Sequence, residues 1–235
     1  MTDPLTTQLE TFASTSSAPS TSSTSSASTR YSEAVAGLVT NLPLSQLGPG
    51  TAADASLRQT LRATLAKLSD HDLFAPVVDS QAAACCRAGL WLGYDFLEES
   101  HSISQAIETS SGSYWHGIMH RREPDPDNAK YWFRRVRQHP VFAQLAAAAA
   151  QIANSRLANS RLANSRLAGV ADAGSPSEPA AYLARQPVWD PFRFVDFCER
   201  TRGTGGDGEQ LCREIARIEW RLLFDHCHRQ AQGLE

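Results

Sequence analysis

The sequence has 235 residues, of which 22 are Lys or Arg and 25 are Asp or Glu, so the formal net charge is −3. This balance argues against a general attraction to nucleic acid or to anionic membranes, because both attract basic proteins. The chain is long enough for one domain with a substantial core, and no apolar run reaches the ~18 residues of a membrane span.

The first 30 residues predict a disordered segment. Positions 14–29 are almost entirely Ser and Thr, and such a stretch has too little apolar surface to support folding. The segment also lacks the hydrophobic core of a signal peptide and the repeated arginines of a mitochondrial presequence. We therefore expect a cytoplasmic protein with a disordered start (1–30) and one helical domain (31–235).

The five cysteines are also typical of a cytoplasmic protein. They are odd in number and show no C-x-x-C spacing, so a disulfide framework is not indicated. We interpret them as small buried thiols in helices.

The segment 82–97 predicts the central buried helix, because it is apolar nearly all round. This helix would carry Glu98, Glu99 and His101 at its C-terminal end. No segment shows the alternating pattern of a β-strand. The sequence therefore predicts an all-α fold.

The segment 113–142 has the highest density of histidines, arginines, carboxylates and aromatic rings in the chain. Its pattern predicts two short helices, the first capped by Ser113 and ended by Pro124. The second would begin at a cap formed by Asp127 or Asn128 and run to about residue 138.

Three polar residues of the first helix fall at i, i+4 and i+7: His116, His120 and Glu123. Two imidazoles one turn apart can bind one metal ion, and the carboxylate could be a third ligand or an outer partner that fixes a tautomer. The zinc-protease motif is excluded, because Gly117 stands where that motif has its glutamate. The alternative is that the histidines bond to backbone carbonyls or stack on aromatic rings.

The last helix adds a further candidate metal ligand. From about Glu209 its apolar stripe leads to Asp225, which should therefore point inward and need a metal or an arginine as partner. We also predict that His101 joins His116 and His120 in one polar pocket. Such a cluster favours zinc, iron or manganese, or else proton transfer on a bound anion.

The basic residues of the segment suggest an anion site. Arg121, Arg122 and Arg135 are the candidates for holding a small anionic substrate. Arg134 and Arg137 would be the contacts in a nucleic-acid-binding alternative, although the acidic chain argues against that partner. A solvated basic face paired with nearby acids would explain the same residues without any ligand.

The polar motifs resemble the signature of a group of uncharacterised microbial helical proteins. The strings that carry the resemblance are GSYWHGIMHRREPD at 112–125, NAKYWFRRV at 128–136 and HP at 139–140. SHSISQ at 100–105 and EWRLLFD at 219–225 are similar to the same group. The resemblance implies a shared helical core and a shared polar site, with no reaction attached.

A low-complexity insertion occupies about 146–187. Within it Asn-Ser-Arg-Leu-Ala occurs at 154–158, 159–163 and 164–168. A period of five places successive leucines on different sides of a helix, so the repeat cannot form a core by itself. We interpret it as a tolerated expansion, followed by a linker from Gly169 to Pro187.

Three functional hypotheses follow from these patterns. The first is a metal-assisted enzyme that acts on a small anionic substrate. The second is a non-catalytic helical module that binds an anion or nucleic acid. In the third, the polar residues form a structural hydrogen-bond network that binds no ligand.

Overall fold

The structure is a computed structural model, and it describes residues 31–40, 42, 46–50, 55–166 and 178–234. These residues form helices and connecting loops without a β-strand, which confirms the predicted all-α fold. The prediction of disorder for residues 1–30 lies outside the described residues. The helices are α1 (Glu33–Thr40), α2 (Ala55–Lys67), α3 (Asp70–Phe74), α4 (Ser80–Gly93), α5 (Leu97–Ser104), α6 (Ser110–Arg122), α7 (Pro126–Val136), α8 (Val141–Arg166), α9 (Glu178–Leu183), α10 (Pro191–Thr201) and α11 (Asp207–Ala231).

The core is organised around α4, α6 and α11, which meet at Gly89. A Cβ atom at Gly89 would lie 2.7 Å from the ring of Trp115, so the absence of a side chain lets α4 and α6 approach closely. The indole nitrogen of Trp220 donates to the carbonyl oxygen of Gly89 at 2.8 Å, which ties α11 to the same point. A second group of buried apolar residues lies between α8, α10 and α11.

The central helix α4 is shorter than predicted, because it ends at Gly93 rather than near residue 97. Asp95 follows with a positive φ of 66°, and its carboxylate accepts from the backbone of Gly50 at 2.7 Å and from Arg122 at 2.6 Å. These contacts stabilise a turn that the apolar pattern does not encode. His101 therefore lies on a separate helix, α5, and not at the end of α4.

The helices α6 and α7 both begin earlier than predicted. The N-cap of α6 is Thr109, whose hydroxyl accepts from Gly112 at 3.0 Å, and not Ser113. The N-cap of α7 is Asp125, with Pro126 in the first turn, where a missing N–H is harmless. The two helices pack closely, since a Cβ at Gly117 would lie 3.2 Å from the ring of Phe133.

The insertion region contains more packed structure than the sequence predicts. Helix α8 continues through the first copies of the repeat, and Ala149 and Ala153 are buried against the second apolar cluster. Arg156 in the first copy bonds to Asp207 and Glu214 at 2.5 and 2.9 Å. The predicted linker also includes α9, so it is shorter than the range from 169 to 187.

All five cysteines are buried free thiols, which confirms their interpretation. Among the described helices, none is long and apolar enough to cross a membrane.

Candidate metal centre

Three histidines from two helices come together, as the sequence predicted. His101 lies on α5, while His116 and His120 lie one turn apart on α6. Each offers a ring nitrogen, and these three atoms all lie within 4.8 Å of one another. The ring centroids are 4.8 Å apart for His101–His116, 5.4 Å for His101–His120 and 4.8 Å for His116–His120. We call this group the histidine cluster.

His116 is the most deeply placed member of the cluster. Its side chain is 2% exposed, and its ring stacks on that of Trp132 at 3.9 Å between centroids. Neither of its ring nitrogens has a hydrogen-bond partner among the described residues. A buried polar group without a partner costs about 1–3 kcal/mol. The burial of this ring therefore carries a free-energy cost that no described hydrogen bond offsets.

His120 has one nitrogen occupied and one available. Its Nδ1 lies 3.1 Å from Glu123 Oε2 and 4.0 Å from Asp125 Oδ2. The carboxylate therefore holds the proton on Nδ1, which leaves Nε2 as the atom with a free lone pair. A carboxylate on the outer nitrogen is the usual arrangement for a metal-binding histidine. Glu123 therefore contacts the outer nitrogen of His120 and is not one of the three side chains of the cluster.

The two α6 histidines are held neutral. Burial, together with smaller effects of the neighbouring His120 and His101, lowers the pKa of His116 to about 3. Burial also lowers the pKa of His120, and this effect outweighs the opposing influence of Glu123. Neutral imidazoles can bind a metal ion without first losing a proton.

Asp225 is not in the histidine cluster, so the structure does not bring this predicted ligand together with the three imidazoles. Its side chain is buried, as expected, and Nε of Arg221 on the same helix lies 3.9 Å from its Oδ1. The reason is that α11 packs mainly against α4 and α8, whereas the cluster is formed by α5 and α6.

Arg121 and Arg122 are placed in the protein interior instead of beside the cluster. The guanidinium of Arg121 donates to Glu219, which is fully buried. Arg122 bonds to Asp95 and to the carbonyl oxygen of Leu92, both at 2.6 Å. Both predicted substrate contacts are therefore corrected: these arginines connect helices of the core.

Arg135 is the one predicted catalytic arginine that remains at the surface. It is exposed, and its guanidinium carbon lies 5.1 Å from the centre of the Trp132 ring. Trp132 itself is half-buried, and its ring stacks on that of His116. A tryptophan that stacks on a candidate ligand has no distinct signal in the sequence.

His139 is also buried, and the sequence pointed to it only through the string HP at 139–140. Its Nε2 lies 3.1 Å from Ser111 Oγ, and its Nδ1 accepts from the backbone of Val141 at 3.4 Å. The proton therefore resides on Nε2, so this ring cannot withdraw the proton of Ser111. Burial lowers the pKa of His139 to about 3, with a smaller effect of His226 in the same direction.

The buried state of His139 predicts a pH dependence of stability. Its pKa is about 3 in the folded protein and about 6.5 in the unfolded chain. Between these values the unfolded state binds more protons, so the free energy of unfolding falls as pH falls, by up to about 1.4 kcal/mol per pH unit. The free energy of unfolding, measured with urea between pH 7 and 4, should depend less steeply on pH for His139→Asn than for the parent protein. Equal slopes would contradict this account of the ring.

No family model matches the chain, and neither the curated proteins nor the solved structures contain a match to it.

Proposed function

We propose that the protein binds one divalent metal ion through His101, His116 and His120 and uses it on a small anionic substrate. The observation that supports this proposal most directly is the buried state of the His116 ring. A ring that is 2% exposed with two unpartnered nitrogens, beside two further imidazoles, is a costly arrangement for a purely structural network.

The donor set favours zinc among zinc, iron and manganese. Three imidazoles with an open fourth position are a typical catalytic zinc site, whereas manganese prefers oxygen ligands. Nitrogens at ~2.1 Å from a tetrahedral ion are about 3.4 Å apart. In the structure the three ring nitrogens lie within 4.8 Å of one another. To bind one ion they would have to approach one another by up to roughly 1.4 Å. Rotation of the half-buried His101 side chain is the simplest route to this closure.

The surroundings suit chemistry on an anion. A zinc ion in such a site polarises a bound oxygen and lowers the pKa of a bound water to about 7. Glu123 keeps the proton of His120 on the outer nitrogen, which preserves the free lone pair on the other. Arg135, beside Trp132, supplies a positive charge at the surface near the cluster.

Titration of the chelator-treated protein with zinc, followed by calorimetry, tests the proposal. One ion should bind per chain. Replacing the exposed His71 by alanine should leave the binding unchanged, because this ring lies on α3 outside the cluster. A structural network that needs no ion predicts no saturable binding at all.

Glu123→Gln should weaken zinc binding by about 10–100-fold while the stoichiometry stays at one, because the outer partner of a ligand tunes its affinity to that extent. The same calorimetric titration measures this change. Glu98→Gln is the matched control, since Glu98 is an exposed glutamate on α5. If the two variants bind zinc equally, Glu123 does not support a ligand.

A further inference from the structure

A groove separate from the histidine cluster lies between the start of α6 and the end of α7. Its volume is about 870 Å³, within the range of small-molecule sites. We call it the arginine groove, and the residues that matter for its chemistry are Thr109, Ser110, Tyr131, Arg134, Arg135 and Arg137.

The three arginines of the groove lack the carboxylate partners that most other described arginines have. Most other arginines in the described part of the chain lie within 4.0 Å of a carboxylate, as Arg156 does with Asp207 and Glu214. None of the three groove arginines forms such an ion pair with a described residue. Glu108 is the one acidic residue that lines the groove. The groove therefore has an excess positive charge in a protein whose net charge is −3.

The backbone adds to this positive character. Helix α6 begins at Ser110, so its first amides, which carry the positive end of the helix dipole, lie at the groove. Arg137 has a φ of 59° and a ψ of −103°, a backbone conformation that residues other than glycine rarely adopt and that often marks a functional position. Arginine side chains bind phosphate groups in a bidentate manner.

An aromatic ring lies beside the cationic groups. Tyr131 is 47% exposed and also lines the groove. It precedes Arg134 and Arg135 by three and four residues on α7, so all three occupy one face of that helix. An exposed ring next to guanidinium groups can stack on a base while the arginines contact phosphates.

From these observations we propose that the arginine groove binds a nucleoside polyphosphate, with the base on Tyr131 and the phosphates on Arg134 and Arg137. The proposal does not depend on the metal site, because none of its residues belongs to the histidine cluster. The groove has room for a mononucleotide, whereas a nucleic-acid strand needs a continuous basic track.

Calorimetric titration of the full chain with ADP at low salt and in the presence of EDTA tests this proposal independently of metal binding. Saturable 1:1 binding is expected. The double change Arg134→Gln with Arg137→Gln should weaken it by about 100-fold, or roughly tenfold per arginine. The control Arg229→Gln changes the same charge at an exposed arginine on α11 and should have no effect.

Two further probes separate the base from the phosphates and the mononucleotide from a strand. Tyr131→Ala should weaken ADP binding by about tenfold and leave inorganic pyrophosphate binding unchanged. Pyrophosphate that binds as tightly as ADP would overturn the role given to the base. Tight binding of a single-stranded oligonucleotide without ADP binding, or no ADP binding at all, would overturn the proposal.

Discussion

Glu219→Ala is expected to lower the free energy of unfolding by about 3–5 kcal/mol, because it breaks a buried ion pair by removing one partner. The carboxylate of Glu219 is fully buried and accepts from the guanidinium of Arg121. It also accepts from the hydroxyl of Tyr114 at 3.0 Å. Its loss leaves a charged group that is 3% exposed without a counter-charge.

Urea unfolding measures this loss, and Glu214→Ala provides the control. Glu214 lies on the same helix and pairs with Arg156 at 2.9 Å, but its side chain is 46% exposed. Exposed ion pairs contribute about 0–1 kcal/mol, so the control should change little. Similar effects of the two substitutions would contradict the structural role assigned to Arg121 and Glu219.

His116→Ala should weaken zinc binding by more than about 100-fold, because loss of a ligand exceeds the 10–100-fold effect of losing an outer partner. The imidazole is neutral, contacts no hydrogen-bond partner in the described chain and lies between the other candidate ligands. Competition with a chromophoric chelator measures affinities over this range.

The control for this substitution is His139→Ala. His139 is also buried, at 5% exposed, but lies beside Ser111 outside the histidine cluster. It therefore reports any effect of general destabilisation on the measured affinity. If both substitutions weaken zinc binding equally, His116 is not a ligand.

The sequence predicted those parts of the site that depend on local geometry. Helical spacing places His116 and His120 on one stripe, and this is a property of any α-helix. The position of His101 followed because the connection between its segment and α6 is short. The all-α fold followed from the absence of strand-like alternation and from the apolar stripe of the last helix, whose residues Leu211 and Ile215 are buried in α11.

The features that the sequence did not predict correctly depend on contacts between distant segments. The break after Gly93 requires Asp95, whose carboxylate contacts residues 45 positions earlier and 27 positions later. Arg121 is an internal residue because its partner Glu219 is 98 positions away. A pattern of charges within one segment cannot distinguish such an arginine from Arg134, which stays exposed in the arginine groove.

X-ray absorption at the zinc edge, on protein loaded with one equivalent of zinc, tests the proposed metal centre most directly. We expect three imidazole nitrogens and one oxygen ligand at about 2.0–2.1 Å. The spectrum of the His116→Ala protein should show the loss of one imidazole. Sulfur ligation at ~2.3 Å, or an imidazole count that the His116 substitution does not change, would contradict a zinc site at His101, His116 and His120.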